Sequence, residues 1–174
     1  MTKVAEHVFT RSKISIYSLI VGLLIGVYNS INPPIDFTLN PSLLAWAIAA
    51  VLCVIILHEG VHATTAMLFD YKPLFGVKPP LVYVTFTEKI PREQFAAIAL
   101  APFIILNVIF IALLAIDILK MFSYFCFITN TLGSVGDLWI AYKLIPHKPG
   151  SRVQDTKTGI EIWEEEPETA GKAI

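Results

Sequence analysis

The stretch Leu57-His58-Glu59-Gly60-Val61-His62-Ala63 lies inside an otherwise apolar run that begins near Leu43, and it reads His-Glu-x-x-His. On a helix, histidines with this spacing project from one face about one turn apart. Each can offer an imidazole nitrogen to a single zinc ion, while Glu59 leans over the remaining coordination position as a general base. A soluble surface helix could carry the same letters as two face histidines and a snorkelling glutamate. The apolar setting argues against that. An acid within a membrane-length segment costs about 2.5–3.5 kcal/mol on insertion scales, so such a group is a functional candidate by default.

Two histidines hold zinc weakly, and a catalytic site normally adds a third protein ligand and water. The elements that could supply that ligand come from the rest of the chain. Of its 174 residues 55% are hydrophobic and only 16% charged, against about 25% charged in a soluble domain. That composition is a polytopic membrane protein's, with the lipid bilayer as its medium. The net charge is −1, and without a basic stripe no nucleic-acid partner is expected. Cys53 and Cys126 both fall in apolar runs; free buried thiols are expected, zinc ligation by either is the lesser alternative, and no disulfide framework is indicated. Lys3, Arg11 and Lys13 precede an apolar stretch in the manner of a signal peptide, but no small-residue cleavage site follows, so it reads as an uncleaved first helix.

Four spans are expected, at about 14–31, 43–69, 94–119 and 121–145, each long enough for a hydrocarbon core of about 30 Å. Asn32-Pro33-Pro34 ends the first, Asn40-Pro41-Ser42 caps the second, Pro91-Arg92-Glu93 starts the third, Pro102 kinks it, and Pro146 stops the fourth. The fourth carries Thr129, Asn130, Thr131, Ser134 and Asp137, a polar face that must look into the bundle and away from lipid. Gly133 and Gly136 are expected to let another helix approach closely. Between spans two and three, Pro73, Pro79 and Pro80 break any helix, and Leu81-Val82-Tyr83-Val84-Thr85-Phe86-Thr87 alternates as a strand, with an irregular interfacial loop as the alternative. Residues 146–174, with Glu164-Glu165-Glu166, have no apolar periodicity and are expected to form a flexible polar tail. The expectation is thus an all-α membrane protein, a single domain over 1–145, with a small strand or hairpin at the membrane surface. Lysine and arginine are present in the N-terminal segment, in 70–93 and in the tail, and absent from 32–42. That alternation predicts that both termini and the 70–93 loop are cytoplasmic.

Under this topology His62 and Asp137 sit at similar depth, each a few residues before the cytoplasmic end of its span. Glu88 and Glu93 belong to the surface loop or its edge, and Asp117, near the opposite face, reads as a helix-end acid paired with Lys120. Asp137 is the one acid deep in a span at the depth of the histidines. Asn130, on the same helix face, could orient a substrate carbonyl or cross-link two helices.

The two stretches His58-Glu59-Gly60-Val61-His62 and Asn130-Thr131-Leu132-Gly133-Ser134-Val135-Gly136-Asp137 together resemble the intramembrane zinc metalloproteases of the site-2 protease type. More closely, the chain is similar to a small bacterial family of zincin peptidases with four predicted spans and a Gly-Ser-x-Gly-Asp signature. The likeness covers roughly residues 45–145. It implies one zinc ion held by His58, His62 and Asp137, Glu59 as catalytic base, and a multi-pass place in a bacterial plasma membrane. This chain has Gly133 where the larger family has a proline, and Leu138 follows the acid. No regulatory domain is recognisable, so substrate selection is expected to come from the core or from partners.

The reaction expected is hydrolysis of a peptide bond in a transmembrane or membrane-proximal segment, with zinc acidifying water and Glu59 accepting its proton. A helical substrate must first be unwound. Tyr83, Val84, Thr85 and Phe86 could receive it as an added strand. Two other readings compete: a non-catalytic metal-binding scaffold or sensor, in which Glu59 would have no task, and a small transporter with a His–Asp relay, for which no inverted repeat is detectable.

Overall fold

The computed structural model describes residues 1–8, 11–31, 41–78, 81–156 and 158–165. The expected roles of 32–34, Asn40, Pro79, Pro80 and Glu166 fall outside them. Among the described residues the element order is β1 (Thr2–Val8), α1 (Arg11–Ile31), α2 (Pro41–Leu68), β2 (Leu74–Lys78), β3 (Leu81–Thr85), β4 (Ile90–Pro91), α3 (Arg92–Leu113), α4 (Asp117–Gly133), α5 (Val135–Leu144), β5 (Arg152–Thr156) and β6 (Gly159–Glu164). The fold is therefore mostly helical, as expected, with two small sheets where a single strand or hairpin was expected.

Among the described residues three helical stretches are long and apolar enough to cross a membrane: Ile14–Ile31, Leu43–Leu68 and Arg92–Leu113. Their outward side chains include Leu19, Leu23, Leu24, Ile56, Ile104 and Val108, an apolar surface far larger than water-soluble monomers expose. α2 stops where Asp70 adopts a left-handed φ of 64° and the Tyr71 N–H reaches back to the Ala66 carbonyl at 3.1 Å, a local closure that satisfies a helix-end acceptor. α3 starts directly after Pro91, where a missing N–H is harmless.

The expected third and fourth spans are divided differently. α3 ends at Leu113 and α4 begins at Asp117; the connecting Leu114-Ala115-Ile116 is itself apolar, so composition could not reveal the turn. The fourth segment is two helices meeting at Ser134. There the Ser134 hydroxyl and its own N–H both donate to the Asn130 carbonyl, at 2.8 and 2.9 Å, and back-bonding of this kind bends a helix. A Cβ added at Gly133 or Gly136 would meet nothing within 4 Å, so these glycines do not mark a close helix approach.

The larger correction is at the chain ends. β1, β6, β5 and β4 form a four-stranded antiparallel sheet in that order, so Arg152–Thr156 and Gly159–Glu164 are strands where a flexible tail was expected, and the polar N-terminal segment is a strand. Val153, Ile160 and Ile162, each 0% exposed, pack with Ala66, Phe86, Phe95, Ile98 and Leu144, covering the adjoining ends of α2, α3 and α5. Gly159 lies so close to the His7 carbonyl of β1 that a side chain there would clash. A second core of Ala50, Val54, Leu106, Phe110 and Cys126 lies within the helices. On α2, His58 and His62 fall between Val54 of one core and Ala66 of the other, so packing on both sides fixes the turn that carries them.

The expected strand is present as β3, paired with β2 in a separate two-stranded sheet with Phe75 opposite Val84. Tyr83 lies across Gly76, where a Cβ could not fit.

Candidate metal centre

α2 presents His58 and His62 on one face, and the first turn of α5 brings Asp137 to them. One ligand atom from each of the three lies within 4.8 Å of the others. The His58 Nε2 is 3.1 Å from one Asp137 carboxylate oxygen and the His62 Nε2 is 3.6 Å from the other. Neither cysteine joins this group; both are free thiols. Asp117 faces Lys120 at 3.9 Å, as expected of a helix-end acid.

The surrounding hydrogen bonds decide which imidazole nitrogen carries the proton. His62 Nδ1 is 2.8 Å from the Ile98 carbonyl, which can only accept, so Nδ1 is the donor. Ile98 can take that bond because the residue four positions on is Pro102, which has no N–H to offer the Ile98 carbonyl. Asn130, 0% exposed, donates through Nδ2 to the Pro102 carbonyl at 3.2 Å and to Asn107 Oδ1 at 2.9 Å. Its Oδ1 therefore faces His58 Nδ1, at 3.0 Å, and accepts from it. Asn107 in turn donates to the Thr131 hydroxyl at 3.2 Å.

With both Nδ1 atoms donating, the Nε2 atoms of the neutral imidazoles present lone pairs, and they present them to a carboxylate. Among the described residues three acceptors thus converge, an arrangement that repels itself unless a cation, a metal ion or a proton, is shared. Zinc suits it: bonds of about 2.0–2.2 Å at tetrahedral angles separate neighbouring ligand atoms by about 3.3–3.5 Å, which the observed 3.1 and 3.6 Å bracket. Imidazole N–H groups anchored on a carbonyl and an amide oxygen are the outer-shell arrangement that orients metal-binding histidines.

Glu59 shares the turn with the histidines, but its carboxylate is turned to β3 and accepts the Val84 N–H at 2.8 Å. Asn130, expected to face substrate or link helices, is enclosed with both of its polar atoms engaged; it links α4 to α2 and α3 and orients a histidine, and a substrate has no access to it. Phe86, grouped with the substrate strand, lies past the end of β3, is 6% exposed, and stacks edge-on with Phe95 at 6.4 Å. It is a core residue. Tyr83 is exposed, while Val84 and Thr85 are half-buried. The residues whose place in the site the sequence did not show are Ile98, Pro102, which it reads only as a kink, and Asn107. One signal was available: a proline within a span, counted back four, names the carbonyl it frees.

Residues 51–152 match the profile of a protein family described as "Putative zincin peptidase". Pyrococcus woesei has a similar chain, the "Uncharacterized 24.7 kDa protein in gap 5'region", 31% identical over 142 residues, an alignment that covers 78% of this chain and 63% of that one. This chain therefore spans less than two thirds of that relative's length. No solved structure matches. With the family match extending over more than half the sequence, and with the His58–His62–Asp137 cluster inside it, the chain belongs to the family described as putative zincin peptidases.

Proposed function

We propose that the chain is an intramembrane zinc metalloendopeptidase that hydrolyses a peptide bond in a transmembrane or membrane-proximal segment near the cytoplasmic face. The observation that carries this reading is the self-repelling acceptor cluster, whose orienting donors are spent on Ile98 and Asn130. His58, His62 and Asp137 would hold the metal. Bound zinc supplies Lewis acidity toward water and toward a substrate carbonyl. Glu59 takes one proton from water as its oxygen adds to the peptide carbon, and returns a proton to the departing amine as the C–N bond breaks. Ile98 and Asn130 hold the imidazoles in one tautomer throughout.

Membrane placement rests on the three apolar helices, with α4 and α5 together as a fourth span whose polar side carries Asn130, Thr131, Ser134 and Asp137. β1, β6, β5 and β4 share one sheet, so the N-terminal strand, the C-terminal hairpin and the residues preceding α3 lie on one side. Together with the lysine and arginine distribution, this favours a cytoplasmic side for both termini. An extended segment of a membrane protein could pair with the unpaired edge of β3.

The test uses the full chain in detergent with bound zinc quantified and cleavage of membrane-anchored peptides followed. Wild type and Glu59→Gln should each carry about one zinc, with only wild type cleaving. Cleavage by Glu59→Gln would remove the glutamate from the mechanism. Wild-type zinc affinity in Asp137→Asn would remove the third ligand.

A further inference from the structure

Among the described residues β3 is paired on one side only, with β2. Along a strand, successive residues aim their N–H and C=O alternately toward the partner and away from it. Val84 aims away, because its N–H goes to the Glu59 carboxylate at 2.8 Å. The next outward-facing N–H, that of Phe86, lies beside the Asp155 carboxylate of β5. Two acids therefore stand at consecutive positions of this edge, but they are placed differently. The Asp155 carboxylate also lies beside the Thr85 hydroxyl and the Thr156 N–H, which crowds the edge at Phe86. Glu59 draws one hydrogen bond among the described residues, from Val84. The exchangeable position is Val84.

One N–H serves one strong acceptor. A peptide pairing with the outer edge of β3 must offer a carbonyl to Val84, and the Glu59 oxygen already occupies that place. We propose that the Val84 N–H is a latch on Glu59, released only when an extended peptide docks on β3 and supplies its own carbonyl. Val84 is then a positioning residue: its amide holds the Glu59 carboxylate on β3 in the resting enzyme and couples its release to a substrate already unwound. The inference rests on the peptidase reading for its purpose, but the competition for Val84 exists whether or not zinc binds.

The experiment measures binding of a strand-forming probe, a blocked alternating valine–threonine decapeptide, to the purified full chain in detergent. Removing Glu59 removes the competitor, so Glu59→Ala should bind the probe about tenfold more tightly than wild type, the worth of one hydrogen bond to a charged group. Glu59→Gln, which keeps an uncharged acceptor, should fall between the two. Val84→Pro deletes the N–H and leaves the β2–β3 ladder intact, because that N–H points away from β2; the extended conformation a proline requires of Tyr83 is already present. In the Val84→Pro background the Glu59→Ala change should have no effect on probe affinity, which closes a double-mutant cycle on this one contact. Probe affinity that Glu59→Ala leaves unchanged or weakens, or that it improves equally in both backgrounds, overturns the latch. So does a probe that binds neither wild type nor Glu59→Ala. Zinc content of the same samples tests the metal reading separately, so either can fail alone.

Discussion

Replacing Pro102 by alanine should weaken zinc binding while leaving the protein no less stable, and the two effects have opposite physical origins. The His62 Nδ1–H rests on the Ile98 carbonyl at 2.8 Å, which is open to it because residue 102 cannot donate. Alanine restores that N–H, and the i to i−4 bond of a regular helix then draws on the same oxygen. Loss of an outer-shell partner typically lowers metal affinity 10- to 100-fold, or about 1.4–2.7 kcal/mol. A carbonyl has two lone pairs and can keep part of the histidine bond, so the expected loss is about tenfold. Folding moves the other way. Alanine is favoured over proline by about 3 kcal/mol in a helix interior, offset in part by the small void left by a ring less than 2% exposed. Competition with a chromophoric zinc chelator measures the first quantity, and thermal unfolding of the metal-free protein the second. A zinc affinity within twofold of wild type would refute the role assigned to Ile98. A tenfold loss accompanied by a comparable drop in metal-free stability would refute it too, since general loosening would then suffice.

Asn130→Ala should weaken zinc about 10- to 100-fold and, unlike Pro102→Ala, also destabilise the metal-free protein by about 1–3 kcal/mol, because Asn107 and the His58 N–H lose their partner in a closed site; chelator competition and denaturant unfolding read the two effects. The N-terminal strand should detach in acid. His7 lies 3.5 Å from His147 through their Nε2 atoms, and burial first, then the Lys143 and His147 charges, hold its pKa below the ordinary 6.5. The unfolded strand therefore binds the proton more tightly. The stabilisation is present above pH 6.5 and is lost as pH falls through the lower folded value. Amide exchange in β1 should accelerate over that window in wild type and much less in His7→Asn; equal acceleration in both would exclude His7 as the cause.

Much of the site could be read from the chain because its chemistry is local. Two histidines and a glutamate within five residues of a helix need only helical geometry to share a face, and the cost of an acid in an apolar segment marked them as functional. Asp137 followed from depth along two spans that run in the same direction, again a matter of rise per residue. The Leu81–Thr85 strand was visible in its own alternation. What the sequence concealed is what depends on a distant partner. β1 and β6 are polar on one face and short, so neither looks ordered alone; pairing across nearly the whole chain, with Gly159 passing tight against His7, makes them a sheet that buries Ile160 and Ile162. The turn after Leu113 is apolar and carries no breaker, so only packing divides α3 from α4. By type alone Asn130 could orient a substrate or link helices and Phe86 could belong to a substrate strand; the tertiary structure turns one to a histidine, as a link between helices, and the other into the core. The proton positions on His58 and His62, which leave the Nε2 atoms of the neutral rings to face Asp137, are set by a carbonyl on α3 and an amide on α4, and no local pattern in α2 contains that information.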